Sequence, residues 1–199
     1  MVKVAITIDT EEDLWGEYTP APCPVDNIDS IPLVQDIFDR YGAIPTYLVD
    51  YPVVIDDRAS RLLRDIREKG GCELGTHCHP WNTPPYGDNA SVKATMLCNL
   101  EEDAVRRKME NLHETFVARF GMAPVSFRAG RWGFGPAVAR SIQDLGYRVD
   151  SSVTPLVDWS DYGGPDFFGA PRHPYRLNPA SILEPAEDGS LLEAPPTTG

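Results

Sequence analysis

The sequence predicts an α/β fold in which parallel strands are joined by crossover helices. Three observations carry that reading. Short runs rich in Val, Ile and Leu alternate with amphipathic stretches as far as about residue 150. The amphipathic stretches stop at glycines, namely Gly42, Gly70-Gly71 and Gly146. Asp9, His77, Arg128 and Asp150 fall at or just past the ends of different strands, where open α/β sheets and (β/α) barrels keep their sites.

Each element follows from local pattern. Val2 to Ile8 reads as a buried strand that ends at Asp9, followed by a loop through Pro20, Pro22 and Pro24. Asp29 or Ser30 can cap a helix whose apolar stripe is Leu33, Val34, Ile37, Phe38 and Tyr41. Ile44 to Val49 is the second strand, and Leu62, Leu63 and Ile66 mark the second helix. Cys72 to Thr76 is the third strand, which delivers His77 to its end. A loop from Asn82 to Asn89 carries Pro84, Pro85 and Gly87. Leu100 to Phe120 is a long helix, with Val105, Met109, Leu112, Phe116, Val117 and Phe120 at helical spacing. Val125 to Arg128 is a strand, Gly135-Pro136 opens a helix through Val138, Ile142 and Leu145, and Tyr147 to Asp150 is a further strand. From Val153 to Pro185 Pro, Gly and aromatics leave no period, and Leu191 to Ala194 reads as a last strand.

Composition narrows the function classes. A chain of 199 residues can bury a sizeable core as one domain, and neither a repeat nor a linker divides it. A formal charge of −12 argues against a nucleic-acid surface and gives no reason to expect attraction to anionic membranes. No apolar run approaches membrane-spanning length, and the opening segment is too short for a secretory signal. Cys23, Cys72, Cys78 and Cys98 form no Cys-x-x-Cys pair and read as reduced thiols of a cytoplasmic protein.

The chemistry concentrates in two segments, Asp9-Thr10-Glu11-Glu12-Asp13 and Gly75-Thr76-His77-Cys78-His79-Pro80-Trp81. Side chains two apart on an extended chain share a face, so His77 and His79 can converge on one ion. A carboxylate from the first strand would be the third ligand. Two His and one carboxylate leave a coordination position open, as in catalytic zinc sites, which points to a hydrolase. Cys78 points away from that face and reads as a buried thiol. His113 reads as a packing residue, and His173 as a surface loop residue.

Together these motifs resemble the polysaccharide deacetylase superfamily, which includes carbohydrate esterase family 4. The resemblance runs from Val4 to about Pro155. Thr7-Ile8-Asp9-Thr10-Glu11-Glu12 is similar to the family's first motif, and Gly75-Thr76-His77 to the Gly-x-His of its second. Phe127-Arg128-Ala129-Gly130-Arg131-Trp132-Gly133 is similar to the third, and Asp150-Ser151-Ser152 to the fourth. The resemblance implies a distorted, incomplete (β/α) barrel, a divalent metal, and hydrolysis of acetyl groups from an N- or O-acetylated sugar or polysaccharide. It implies Asp9 as general base, Arg128 as its partner and Asp150 as support. Glu11, His77 and His79 would be the metal ligands, with Glu12 the fallback carboxylate. Trp81, Trp132 and Tyr86 would stack on the sugar or close the pocket. The His ligands favour zinc, although iron, cobalt or nickel suits the same donors.

The chain departs from the family in two places. The family separates its metal histidines by three residues, whereas the residue four after His77 is Trp81. Aligning the family's second His on His79 would displace the first to Gly75. A subgroup with Thr-His-x-His-Pro-Trp is similar to this segment. The family's general-acid His, in a Leu-x-x-His motif near the C-terminus, has no counterpart before Thr197-Thr198-Gly199. Residues 1–199 therefore read as a single deacetylase-like catalytic domain, with the question of C-terminal truncation open. Two alternatives stand beside the deacetylase: an amidase acting on a small linear or cyclic amide, and a carbohydrate-binding pseudoenzyme. Glu12 and Asp13 are expected to be a solvated acidic turn.

Overall fold

The structure is a computed structural model that describes residues 4–14, 16–87, 91–178 and 180–197. Val2, Lys3, Asp88, Asn89, Thr198 and Gly199, on which sequence expectations fell, lie outside the described residues. The elements are β1 (Thr7–Thr10), α1 (Ile31–Tyr41), β2 (Thr46–Val49), α2 (Tyr51–Ile55), α3 (Asp57–Glu68) and β3 (Glu73–Cys78). They continue with α4 (Glu102–Phe120), β4 (Ser126–Ala129), α5 (Pro136–Asp144), β5 (Val149–Asp150), β6 (Tyr175–Asn178), β7 (Ser181–Pro185) and β8 (Leu192–Glu193).

The strands form one unclosed sheet in the order β1-β2-β3-β4-β5-β8-β6-β7. β1 to β5 and β8 run parallel, while β6 runs antiparallel to both β8 and β7. This is the distorted, incomplete barrel that the family resemblance implies, because β1 and β7 do not meet. The outward row of the strands (Tyr47, Val49, Leu74, Cys78 and Phe127) joins Leu63, Val105, Met109, Leu112 and Phe116 of the helices in one buried core. The other row carries Asp9, Gly75, His77 and Arg128, with His77 and Arg128 paired directly across β3 and β4. Strand alternation thus separates the core from the chemistry.

Several elements differ from expectation. β1 covers Thr7–Thr10 and includes Asp9, where the sequence predicts a strand over Val2 to Ile8 that ends at Asp9. α1 has its predicted span and a left-handed Gly42 at its end, but the stripe faces outward: Leu33, Val34, Ile37 and Tyr41 are exposed and Gln35 is the buried residue. Its start is a 3₁₀ turn over Asp26–Ser30 that runs straight into the helix, so neither Asp29 nor Ser30 caps it through a side chain. α2 is additional, started by the side chain of Asp50, which accepts from Val53 N at 3.1 Å. The aperiodic stretch after residue 153 contains the β6–β7 hairpin, whose register shifts between Leu177 and Asn178. A bulge of that kind breaks the alternation that would mark a strand pair.

Candidate metal centre

β1 and β3 each place a ligand candidate just past, or at, their carboxyl ends. Glu11 follows β1, His77 lies on β3, and His79 follows it. Glu11 Oε2 is 2.5 Å from His79 Nε2 and 3.5 Å from His77 Nε2. One ligand atom from each of the three lies within 4.8 Å of the others, so the group can hold a metal ion. The two imidazoles stand nearly perpendicular, at 89° with centroids 4.4 Å apart, which turns both Nε2 atoms toward the carboxylate.

The donor chemistry fits a divalent ion. His77 Nδ1 donates to the carbonyl of Arg128 at 3.0 Å, which leaves Nε2 of the neutral ring free to ligate. Among the described residues His79 Nδ1 is buried without a hydrogen-bond partner, and it abuts Gly130, where a Cβ would lie only 2.2 Å away. Glycine is therefore required at Gly130 for His79 to sit where it does. Burial opposes ionisation of Glu11, but hydrogen bonds and charge from His77 and His79 outweigh it and hold the carboxyl well below the usual range. The histidines diverge. Burial lowers His77, yet Asp9 and Glu11 raise it more; burial, followed by the charge of His77, lowers His79 despite Glu11. A cation seated among these groups would meet an ionised carboxylate and displace protons from the rings.

Asp9 and Arg128 complete the cluster. Arg128 Nη1 donates to Asp9 Oδ1 at 2.7 Å, Nη2 to Thr7 Oγ1 at 2.6 Å, and Nε to the Ser151 carbonyl at 3.0 Å. Its guanidinium also lies 5.2 Å from the centroid of the Trp132 ring. Asp9, Glu11, His77, His79, Ala129, Arg131 and Trp132 line a cavity of about 180 Å³. Arg131 and Trp132 have left-handed backbones, with φ of 53° and 58°, which turn two successive side chains onto the cavity wall.

Other expected site residues are placed elsewhere. Trp81 is buried behind His79, ring centroids 4.1 Å apart, and is absent from the cavity wall. Tyr86 is half exposed and donates to the carbonyls of Ala21 and Asn82, away from the cavity. Asp150 is fully buried and its carboxylate accepts from the amide and hydroxyl of Ser152 at 3.0 and 2.7 Å. Glu12 is not solvated. It is wholly buried, accepting from Trp81 Nε1 at 3.1 Å and Asn82 Nδ2 at 2.9 Å, because those donors offer partners that water would otherwise supply. Asp13 is exposed as expected, but it caps the turn at Asp26 and Asn27.

Sequence reasoning missed Arg131, Asp50, Asn82 and the buried Lys108. Asn82 donates to both Glu12 and Asp50, at 2.9 and 3.0 Å. Asn82 had a local signal, as the first polar residue after the His-x-His-Pro-Trp run, and Arg131 had one in its place within the Phe127–Gly133 motif. The four cysteines are free, and Cys78 is buried beneath the histidines as expected. His113 packs against Tyr147, centroids 5.5 Å apart.

No family model and no curated protein matches this chain. Solved structures do match. A candidate polysaccharide deacetylase from Mycobacterium smegmatis superposes with a TM-score of 0.63 at 20% identity, covering 97% of this chain and 58% of its own. The chain has the fold of these deacetylases. The chitin deacetylase of Colletotrichum lindemuthianum matches with a TM-score of 0.50 at 19% identity, over 74% of this chain and 54% of that one. A carbohydrate esterase family 4 pseudoenzyme from Bacillus anthracis matches with a TM-score of 0.50 at 15% identity, over 79% and 46%. The chain thus spans about half the length of the structures it matches. Among the described residues no helix is long and apolar enough to cross a membrane.

Proposed function

We propose that this protein is a metal-dependent hydrolase that removes acetyl groups from an acetylated sugar. The observation that carries the proposal is the convergence of Glu11, His77 and His79 beside the Asp9–Arg128 pair in one cavity. The deacetylase fold is consistent with it, and the His donors favour zinc.

Glu11, His77 and His79 would hold a divalent ion, which when bound would supply the charge to polarise an acyl carbonyl and acidify water. The residues of the chain do the rest. Asp9 sits at the cavity edge with its side chain 29% exposed, so its carboxylate can accept a proton from water in the cavity. Arg128 aims that carboxylate and is itself fixed by Thr7 and Ser151. The cavity of about 180 Å³ suits an acetamido group, with the indole of Trp132 as its apolar wall.

Metal content of the purified wild type beside His77→Ala and His79→Ala tests the reading. The expected result is about one zinc per chain, lost in both variants, with acetate released from N-acetylglucosamine oligomers. Zinc without acetate release would favour the binding-only reading that the pseudoenzyme neighbour raises. A wild type that takes up no metal after zinc is added back would overturn the mechanism.

A further inference from the structure

Helix α4 carries a lysine among its core-facing residues. Lys108 is fully buried next to Val105, Met109 and Leu112. Lysine is almost never buried unless its charge is met by partners. Its Nζ donates to the carbonyls of Pro80 at 3.0 Å, Thr83 at 2.9 Å and Pro85 at 2.5 Å. An ammonium has three donors, and each of these carbonyls among the described residues can take one. All three carbonyls belong to the six residues that directly follow His79.

The same six residues grip the metal centre. Trp81 lies against the His79 ring, and its Nε1 donates to Glu12 Oε1 at 3.1 Å. Asn82 donates to Glu12 Oε2 at 2.9 Å and to Asp50 Oδ2 at 3.0 Å. Glu12 is the neighbour of Glu11 in the chain. One short segment therefore touches both the ring of His79 and, through Glu12, the backbone that presents Glu11, and the Lys108 ammonium ties it to α4 at three carbonyls. Lys108 lies outside the cavity wall, so it does not touch substrate.

We propose that Lys108 is a positioning residue of the metal centre: by fixing the Pro80–Pro85 segment it sets the separation of Glu11 and His79. The inference rests on the reading of Glu11, His77 and His79 as ligands. Removing the ammonium loosens two of the three ligands together. A simple stability role would leave the bound geometry intact in whatever fraction is folded.

The test is cobalt(II) substitution, whose visible spectrum reports ligand geometry, together with zinc affinity measured against a chromophoric chelator. Wild type, Lys108→Met, Lys108→Gln and Leu112→Ala are compared after circular dichroism has established which are folded. Lys108→Met is expected to lose about 10- to 100-fold in zinc affinity, the usual effect of removing support behind a ligand, and to shift the cobalt spectrum. Leu112→Ala, a cavity in the same helix face, is expected to lower the melting temperature and leave the spectrum unchanged. If Lys108→Met does not fold, Lys108→Gln decides by the same two readouts. A folded Lys108 variant with wild-type affinity and spectrum overturns the inference, and so does failure of both variants to fold, which would make Lys108 a residue of general stability. A wild type that binds no cobalt overturns the metal reading itself, so the two failures are distinguishable.

Discussion

Asp9 and Glu12 lie close together near the end of β1 and are expected to behave oppositely on mutation. Asp9 reaches the cavity and touches Arg128 alone among the ion pairs of the described residues. Asp9→Asn keeps the shape and a carbonyl acceptor for Arg128 but cannot take a proton. Turnover should fall by about 10²–10⁴-fold, the usual contribution of positioned proton transfer, with zinc content unchanged; loss of metal would reassign Asp9 as a ligand. Glu12 is buried and accepts from Trp81 and Asn82. Glu12→Ala strips the acceptor from Trp81 Nε1 and leaves Asn82 with Asp50 alone, and should cost about 1–3 kcal/mol of stability, read by urea denaturation, while weakening zinc binding. The sequence makes Asp9, Glu11, His77, His79 and Arg128 legible because strand alternation places them on one face. It hides Glu12, because Trp81 and Asn82 are about 70 residues away and a one-dimensional pattern does not report such a meeting.

At the scale of elements, the joint between β5 and β8 carries a pair of buried carboxyls. Asp150 and Glu193 are register partners on adjacent parallel strands, and both are fully buried. Glu193 Oε1 accepts from Val153 N at 3.2 Å, and the Glu193 and Asp150 carboxyls lie close enough to share a hydrogen bond when one of them is protonated. Burial first, then the charge of Asp150, pushes Glu193 well above the ordinary carboxyl range, and burial raises Asp150 as well. The folded state thus binds more protons than the unfolded chain at any pH between the unfolded and folded values. The stabilising contribution is complete at acidic pH, below about 4 where unfolded carboxyls titrate, and is lost as pH rises through the raised folded values. Stability to urea should therefore decline from pH 5 to pH 8. Glu193→Gln keeps the acceptor for Val153 N and removes the charge. It should flatten the profile and raise stability at pH 8, because the folded chain no longer has to keep a buried carboxyl protonated there. A variant as pH-sensitive as the wild type would rule out this pair as the source. The sequence shows β5 and β8 as strands. It does not show that they are neighbours, because the β6–β7 hairpin between them in the chain has no periodicity.

Across the whole molecule, the 3.6-residue period tells which side chains share a helix face, but not which face meets the body. α3 and α4 turn their apolar faces inward, with Leu63, Val105, Met109 and Leu112 fully buried. α1 does the reverse and is moored by a polar residue. Gln35 Nε2 donates to the Gly71 carbonyl at 2.9 Å and to Asp39 Oδ1 at 2.7 Å, and its Oε1 accepts from Tyr47 at 2.9 Å. At 100° per residue Gln35 points about 160° away from Leu33 and Ile37. Anchoring through Gln35 therefore forces the apolar stripe outward, leaving Leu33 71% and Ile37 51% exposed. The expected consequence separates pattern from burial. Leu33→Gln and Ile37→Gln should each change unfolding stability by no more than about 0.5 kcal/mol, as surface substitutions do. Leu63→Ala should cost about 2–5 kcal/mol. Gln35→Ala strips the polar mooring from Gly71 and Tyr47 and should cost more than either surface change, by about 1–3 kcal/mol. Urea midpoints for the four variants order these effects, and a glutamine at Ile37 as costly as an alanine at Leu63 would mean that α1 packs through its stripe after all.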